Sequence, residues 1–246
     1  MAKKTTPSKK TSVKKSVQKR TTVQKIFRFF WLMFLWFNIV SFSVVLLFKF
    51  VPVPFTPLMG IRALERKKEN KEMTCSHEWL PIEEISLNLQ KAVIASEDGH
   101  FLTHWGFDFE AMQKAYKNNS EGKKLKGGST ISQQTAKNVF LWQGRSYVRK
   151  ALEAYYTVLI ELIWGKKRIM EVYLNSIEMG DGVYGAEAAA KHWYRKDSAS
   201  LTRYEAAGIA AILPNPRKYK ASNSSSYINR RKSRINKEIG YVKLNY

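Results

Sequence analysis

The sequence has very little cysteine and, over its first fifty residues, no acidic residue at all. Cys75 is the only cysteine among 246 residues, which excludes an intramolecular disulfide. Eleven of the 42 Lys and Arg residues fall in residues 1–50, and the first acidic residue is Glu65. The 31 basic residues that remain still outnumber the 20 acidic ones, so the body of the chain is basic too. Such a body favours partners that carry phosphate: nucleic acid, anionic lipid headgroups or a phosphorylated substrate.

One long run also lacks charge altogether. Residues 29–48 are apolar apart from Asn38, Ser41 and Ser43, and Arg28 and Lys49 bracket them. As a helix they would span about 30 Å, the thickness of a bilayer core. Residues 1–28 form a basic tail too polar to fold, which the positive-inside rule keeps cytoplasmic. No small-residue cleavage site follows, so the pattern predicts an uncleaved signal anchor rather than a removed signal peptide.

The remaining chain divides into three parts. Residues 49–80 begin with three prolines and predict a charged juxtamembrane connector. Residues 81–220 have helical periodicity without a convincing run of strand alternation, so they predict one mainly α domain. Within it, SYVRKALEAYYTVLIELIW over 146–164 predicts a long helix, and Thr202 with Glu205 predicts a capping box at the start of another. Residues 221–246 include the run NRRKSRINK and predict a basic C-terminal tail, a solvated helix or coil, with a role at the membrane surface as the alternative.

The segment ASEDGHFLTHWG, residues 95–106, places two carboxylates beside two histidines. His100 and His104 have the spacing of zinc ligands on a helix, but Phe101 occupies the Glu position of HExxH and no third ligand is obvious, so we predict no metal site. The preceding helix ends near Glu97, where its dipole disfavours negative charge. Carboxylates in such settings are candidates for proton transfer. From this segment alone, a solvated helix end remains the alternative.

The segment KGGSTISQQTAKN, residues 126–138, follows two glycines with a dense series of hydroxyls and amides. Side chains of this kind can hydrogen-bond a sugar, and backbone N–H groups at a helix start can hold phosphate. The spacing of a phosphate-binding P-loop is absent. The alternative is a Ser- and Thr-rich turn that caps a helix.

Together these segments resemble the bacterial peptidoglycan glycosyltransferases, and the resemblance covers about residues 81–219. Five motifs occur in the order of that family. Their matching residues here are Glu97, Asp98, Phe101, His104 and Gly106; then Gly127 to Asn138; then Arg149, Lys150 and Glu153; then Lys166, Ile169, Glu171, Tyr173, Leu174 and Asn175; then a small-residue helix over 182–190. The chain departs from the pattern at Ser132, which replaces Thr, and at Arg195, which replaces Gly.

The resemblance implies a mainly α, lysozyme-like glycosyltransferase domain with one N-terminal transmembrane helix, of the monofunctional type. Such an enzyme polymerises lipid II with inversion: the 4-hydroxyl of an acceptor GlcNAc attacks the donor anomeric carbon and releases undecaprenyl pyrophosphate. Glu97 would be the base and Glu153 the second catalytic carboxylate, on the donor side. The implied substrate-binding residues are Asp98, Phe101, His104, Gly128, Ser129, Thr130, Gln133, Gln134, Lys137, Asn138, Arg145, Arg149 and Lys150.

The resemblance implies no tightly bound cofactor and leaves open a divalent cation, Mg or Mn, at the donor pyrophosphate. The implied partners are lipid II, the growing glycan strand, the lipid bilayer and other cell-wall synthesis proteins, without nucleic acid. The implied location is the bacterial cytoplasmic membrane, with the N-terminus inside and the catalytic domain outside.

Two other functions fit parts of the sequence. A lytic transglycosylase or lysozyme-like hydrolase also centres on one Glu in a helical fold, but it needs no cationic cluster for a lipid pyrophosphate. A basic membrane-tethered scaffold or nucleic-acid binder would use the tail, but it would have no use for the paired acids or for the GGSTISQQ segment.

Overall fold

The computed structural model describes residues 21–70, 72–120, 128–144 and 146–246, and these residues are mainly helical, which confirms the predicted fold class. The chain forms two units, one that ends at Phe42 and a larger one, Ser43–Tyr246. The described helices are α1 Thr22–Phe50, α2 Pro57–Lys68, α3 Leu87–Glu97, α4 Phe109–Ser120, α5 Ile131–Phe140, α6 Tyr147–Ile163, α7 Gly165–Ser176, α8 Ala186–Tyr194, α9 Arg203–Ile212 and α10 Ser226–Glu238.

Helix α1 contains the predicted apolar segment and extends beyond it at both ends. It includes residues 22–28, so this part of the tail predicted over 1–28 is helical and corrects the expectation that it is too polar to fold, while residues 1–20 lie outside the described residues. By length and composition it is the one helix, within the described ranges, that could cross a membrane. Only 11% of its most apolar window is buried, whereas the core helix of a globular domain would be mostly buried. Its large side chains, such as Phe30 and Trp31, are exposed.

The core of the larger unit lies between two groups of helices. Helix α3 packs against α9 and α10, and α5 packs against α6 and α7. Buried aliphatic side chains such as Leu89, Ile131, Ile169 and Ile209 belong to one continuous cluster. Helix α9 begins with the capping box predicted from Thr202 and Glu205. Alanines on α9 allow close packing, since small side chains let helices approach each other.

A small sheet, not anticipated from the sequence, joins the connector to the domain. Strand β1 is Ser76–His77, β2 is Glu178–Gly180 and β3 is Val183–Tyr184. The order is β1-β3-β2, with β1 parallel and β2 antiparallel to β3. Strands of two or three residues are too short for a period-two pattern to appear in the sequence.

The connector predicted over 49–80 therefore belongs to the larger unit. Helix α2 buries Leu58 and Met59 with Tyr184, and Arg66 forms an ion pair with Asp181 at 2.5 Å. The expectation that the folded body begins near residue 80 is wrong, because these contacts and strand β1 lie upstream of it.

The predicted solvated tail over 221–246 is also corrected. Helix α10 packs on α3 and α9 and buries Ile228 and Ile235, and Ile239 just after it is buried too. Lys232 lies on the same face, with its ammonium 4.0 Å from the ring centroid of Tyr204. These inward positions recur every three or four residues, and the surrounding charges hid that period in the sequence.

We predict that Ile235→Ala lowers the free energy of unfolding by about 2–5 kcal/mol, because it leaves a cavity in the core. Urea denaturation of the detergent-solubilised protein measures this. The matched control is Arg230→Ala on the exposed face of α10, which should change stability by less than about 0.5 kcal/mol. Equal effects of the two changes would contradict the packing of α10.

Candidate active site

Glu97 is the last residue of α3 and is held loosely on both oxygens. Ser86 caps the start of this helix, and Asp98 is its C-terminal cap. The Gln134 amide donates to Glu97 Oε2 at 3.2 Å, while Ser96 Oγ donates to Oε1 at 3.2 Å. Arg231 Nη2 lies 3.5 Å from Oε1. The side chain is 14% exposed, so the carboxylate is oriented by its neighbours and still meets solvent.

Asp98, the neighbouring acid, is buried and tightly held. Its Oδ2 accepts the backbone N–H of Ile131, the first residue of α5, at 2.9 Å. Its two oxygens lie 2.9 and 3.0 Å from His104 Nε2, which donates because an ionised carboxylate only accepts. A carboxylate at a helix N-terminus is also stabilised by the helix dipole. Asp98 therefore fixes the end of α3 against the start of α5.

A capping box forms the start of α5. Thr130 Oγ1 accepts the backbone N–H of Gln133, and the Gln133 side chain accepts the backbone N–H of Thr130. Thr130 Oγ1 also donates to the carbonyl of Gly106 at 2.6 Å. Gly106 has φ +78°, and a Cβ there would lie 2.7 Å from the methyl group of Thr157, so no other residue fits.

A buried ion pair between Glu161 and Lys166 contacts α5 through Ser132. Glu161 Oε1 accepts from Ser132 Oγ at 2.5 Å and from Lys166 Nζ at 2.7 Å. The Lys166 ammonium also lies 4.8 Å from the centroid of the Phe101 ring. Ser132 thus keeps the hydroxyl of the motif's Thr for a structural contact with Glu161.

Basic side chains surround the second carboxylate. Glu153 on α6 is 3% exposed and bonds Arg149 Nη1 at 3.2 Å and the Lys150 ammonium. Lys137 on α5 interacts electrostatically with Glu153 and, more weakly, with Glu97. Burial lowers the pKa of Lys137 below its ordinary value, the charges of Arg149 and Lys150 lower it further, and the two glutamates oppose this. Glu153 therefore holds a group of cations together.

The structure separates the predicted site residues into two groups. The first group has partly or fully exposed side chains and comprises Glu97, Ser129, Gln134, Lys137, Arg149 and Lys150. Gly128 immediately precedes Ser129 in the chain. In the other group, the side chains are buried at Asp98, Phe101, Thr130, Gln133, Asn138 and Glu153, and the His104 side chain is 9% exposed. Arg145 lies outside the described residues.

This burial corrects the expectation that Thr130, Gln133 and Asn138 bind substrate. Thr130 and Gln133 are consumed in the capping box, and the polar segment is in part the helix-capping turn that was the alternative. Phe101 is fully buried, so it is a core residue rather than a ligand contact. Asp98 and His104 position their neighbours.

Two residues at the site were not anticipated. Tyr173 Oη donates to Gln134 Oε1 at 3.2 Å, and Gln134 in turn donates to Glu97. Burial raises the pKa of Tyr173 well above its ordinary value, and the charges of Glu97 and Asp98 add to this, so its hydroxyl stays protonated. Arg231 also donates to Ser96 Oγ at 2.9 Å. Tyr173 falls within the fourth motif, whereas Arg231 lies in the segment for which the sequence predicts a tail.

The described residues contain no group of three or more His, Cys, Asp or Glu side chains that could hold a metal ion. His100 lies at the surface, 2.8 Å from Asp108, and His104 is bound to Asp98. The two histidines thus have separate partners. Both oxygens of Glu153 are engaged by cations, so the residues present do not form a ready carboxylate site for Mg or Mn.

The domain is helical, and its partly exposed Glu97 lies near the cations around Glu153. Such a site is suited to acid–base chemistry on a substrate that carries phosphate.

A family model described as Transglycosylase matches residues 65–239. The biosynthetic peptidoglycan transglycosylase of Caulobacter vibrioides is 56% identical over 199 residues, 81% of this chain and 84% of the relative. The Pseudomonas syringae pv. syringae protein of the same name is 49% identical over 205 residues, 83% of this chain and 87% of the relative. The chain belongs to the transglycosylase family.

We predict that Asp98→Ala destabilises the protein by about 2–5 kcal/mol, because the Ile131 N–H and the His104 N–H lose a buried acceptor. Thermal or urea unfolding measures this. His100→Ala is the matched control, since it breaks the exposed His–Asp pair and should change stability by less than about 0.5 kcal/mol. If Asp98→Ala were as mild as the control, Asp98 would not fix α3 against α5.

Proposed function

We propose that this protein is a membrane-anchored peptidoglycan glycosyltransferase. The acceptor GlcNAc 4-hydroxyl of one substrate attacks the anomeric carbon of a lipid-linked donor, and undecaprenyl pyrophosphate leaves. The family membership supports the reaction class. The single observation that carries the assignment of roles is the contrast between Glu97, oriented but loosely bonded, and the cation group held by Glu153.

Glu97 acts as the general base. A sugar hydroxyl is a weak nucleophile near neutral pH, and a positioned base accelerates its attack about 10²–10⁴-fold. Gln134, held by Tyr173, orients Oε2, while Arg231 faces Oε1. The carboxylate takes the proton of the attacking hydroxyl as the new glycosidic bond forms.

The departing diphosphate is stabilised by Lys137, Arg149 and Lys150. Preorganised cations at the point where negative charge develops lower the barrier of such a step. Glu153 keeps these cations at fixed positions and offsets their mutual repulsion. Its contacts support a role in holding the cations rather than in binding a divalent metal.

The apolar helix α1 anchors the enzyme in the bacterial cytoplasmic membrane. The basic residues before it favour a cytoplasmic N-terminus, which places the catalytic unit on the outer side, where a lipid-linked saccharide would meet it. The partners are then the lipid-linked donor, the growing glycan strand, the bilayer and other cell-wall synthesis proteins. Nucleic acid is not among them.

We predict that Glu97→Gln reduces glycan polymerisation by about 10²–10⁴-fold, because the amide cannot accept the proton. Polymerisation of labelled lipid II, followed by gel separation of the glycan strands, measures this. The fold should persist, because the amide fills the same space, and thermal unfolding checks it. Glu110→Gln, an exposed glutamate on α4, is the matched control and should keep the wild-type rate. Full turnover by Glu97→Gln would exclude it as the base.

We predict that activity declines with rising pH from a lower pH than a lysine pKa of 10.5 would give, because burial lowers the pKa of Lys137 and only its cationic form stabilises the diphosphate. Rate measurements across the alkaline range test this. In Lys137→Arg the guanidinium stays protonated, so the decline should move to higher pH. Lys137→Met should be slow at every pH. A decline at the same pH in Lys137→Arg and wild type would assign it to another group.

A further inference from the structure

The last turns of α1 belong to the larger unit, and one carbonyl there has no partner in its own helix. In an α-helix the carbonyl of Phe48 would accept the N–H of residue 52, but residue 52 is proline and has none. Val51, just before this proline, is already outside the helix. The helix therefore ends with carbonyls that need donors from elsewhere.

Arg168 on α7 supplies those donors. Its Nε and Nη2 donate to the Phe48 carbonyl at 3.0 and 2.8 Å, and Nη2 also donates to the Val51 carbonyl at 2.6 Å. The indole N–H of Trp164, one helical turn earlier, donates to the Val45 carbonyl at 2.7 Å. Four hydrogen bonds thus join the end of α1 to two side chains that lie near the start of α7.

The Arg168 guanidinium is itself held in place. Its Nη1 pairs with Glu171 at 2.6 Å, and its carbon lies 5.1 Å from the ring centroid of Trp79. A planar guanidinium held by these two contacts loses little further freedom when it bonds two carbonyls, whereas a flexible lysine could not bond both. We call Arg168 and Trp164, with their bonds to α1, the helix clamp.

The helix clamp is connected by packing to the helix that lines the site. The Phe48 ring lies 6.4 Å from that of Phe140, the last residue of α5, and Phe140 stacks on Tyr156 at 4.5 Å. The Phe140 ring also contacts Trp164, at 5.9 Å. Helix α5 also carries Gln134 and Lys137. The aromatic cluster therefore joins the end of α1 to the helix that bears these two site residues.

We propose that Arg168 and Trp164 are positioning residues that hold the end of α1, residues 43–50, in a fixed geometry against α7, so that the site meets a diphosphate whose lipid remains in the bilayer. Water could satisfy free carbonyls where a helix leaves the membrane, so the helix does not need Arg168 in order to end. What the clamp adds is a fixed geometry. This inference rests on the proposed function.

The test compares two substrates with the full-length protein in vesicles of phosphatidylethanolamine and phosphatidylglycerol. One is lipid II embedded in the same vesicles, and the other is an analogue with a short, water-soluble prenyl chain. Arg168→Met keeps the stem against Trp79 and removes the donors, and Trp164→Phe keeps an aromatic ring and removes the indole N–H. Both should lower the rate on embedded lipid II about tenfold and leave the rate on the soluble analogue within about twofold.

Two further variants sharpen the comparison. Arg168→Lys keeps the charge but cannot span both carbonyls, so it should behave like Arg168→Met, and it serves if either of the first two variants fails to fold. Lys167→Met removes a neighbouring exposed ammonium that pairs with Glu83 rather than with α1, so both rates should stay near those of the wild type. Equal losses on the two substrates, or no loss on either, would overturn the proposal.

A readout without turnover separates this proposal from the proposed function. Amide hydrogen exchange at residues 49–51, where the Val51 N–H donates to the Leu47 carbonyl at 3.1 Å, reports opening of the helix end. We expect exchange about tenfold faster in Arg168→Met than in wild type or Lys167→Met. Unchanged exchange would overturn the clamp. A wild-type protein that polymerises neither substrate would contradict the proposed function, and the exchange comparison would still test the clamp.

Discussion

The carboxylate of Asp98 is the contact on which the site depends. It lies where α3 ends, accepts the first N–H of α5 and holds His104, so one buried charge fixes two helices and the loop between them. A charge at a helix N-terminus contributes up to about 2 kcal/mol when partly buried. Glu97 and Gln134 belong to those two helices, and their 3.2 Å contact exists only because the helices meet in this register.

The acids of the site differ in how firmly they are held. Asp98, Glu153 and Glu161 are buried and accept short hydrogen bonds, which commits them to positioning. The contacts of Glu97 are 3.2 to 3.5 Å long, and its side chain is partly exposed. A group that must exchange a proton with a substrate cannot have all its lone pairs engaged by strong donors. The same rule explains why polar residues are abundant in the motifs although few of them are free for a ligand.

Sequence reasoning succeeds where a signal is local and fails where it depends on the packing partner. The capping box at Thr202 and the long helix over Tyr147–Ile163 are predicted from local signals and are present. Thr130 and Gln133 also form a capping box, but the sequence predicts them as substrate-binding residues, because spacing does not say which way a hydroxyl faces. A tail is predicted where α10 lies, because four inward residues among many charges carry little periodic signal until α9 is known to cover them.

Both ends of the chain close on the helices of the middle. From the C-terminal side, α10 brings Arg231 to Glu97; from the N-terminal side, the end of α1 packs on Phe140 of α5. The helices α3 and α5, which carry Glu97 and Gln134, are therefore braced by elements that are distant in sequence: Arg231 lies 134 residues from Glu97. The C-terminal helix and the end of the apolar helix, which looked like appendages in the sequence, are thus part of the scaffold around the Glu97 carboxylate.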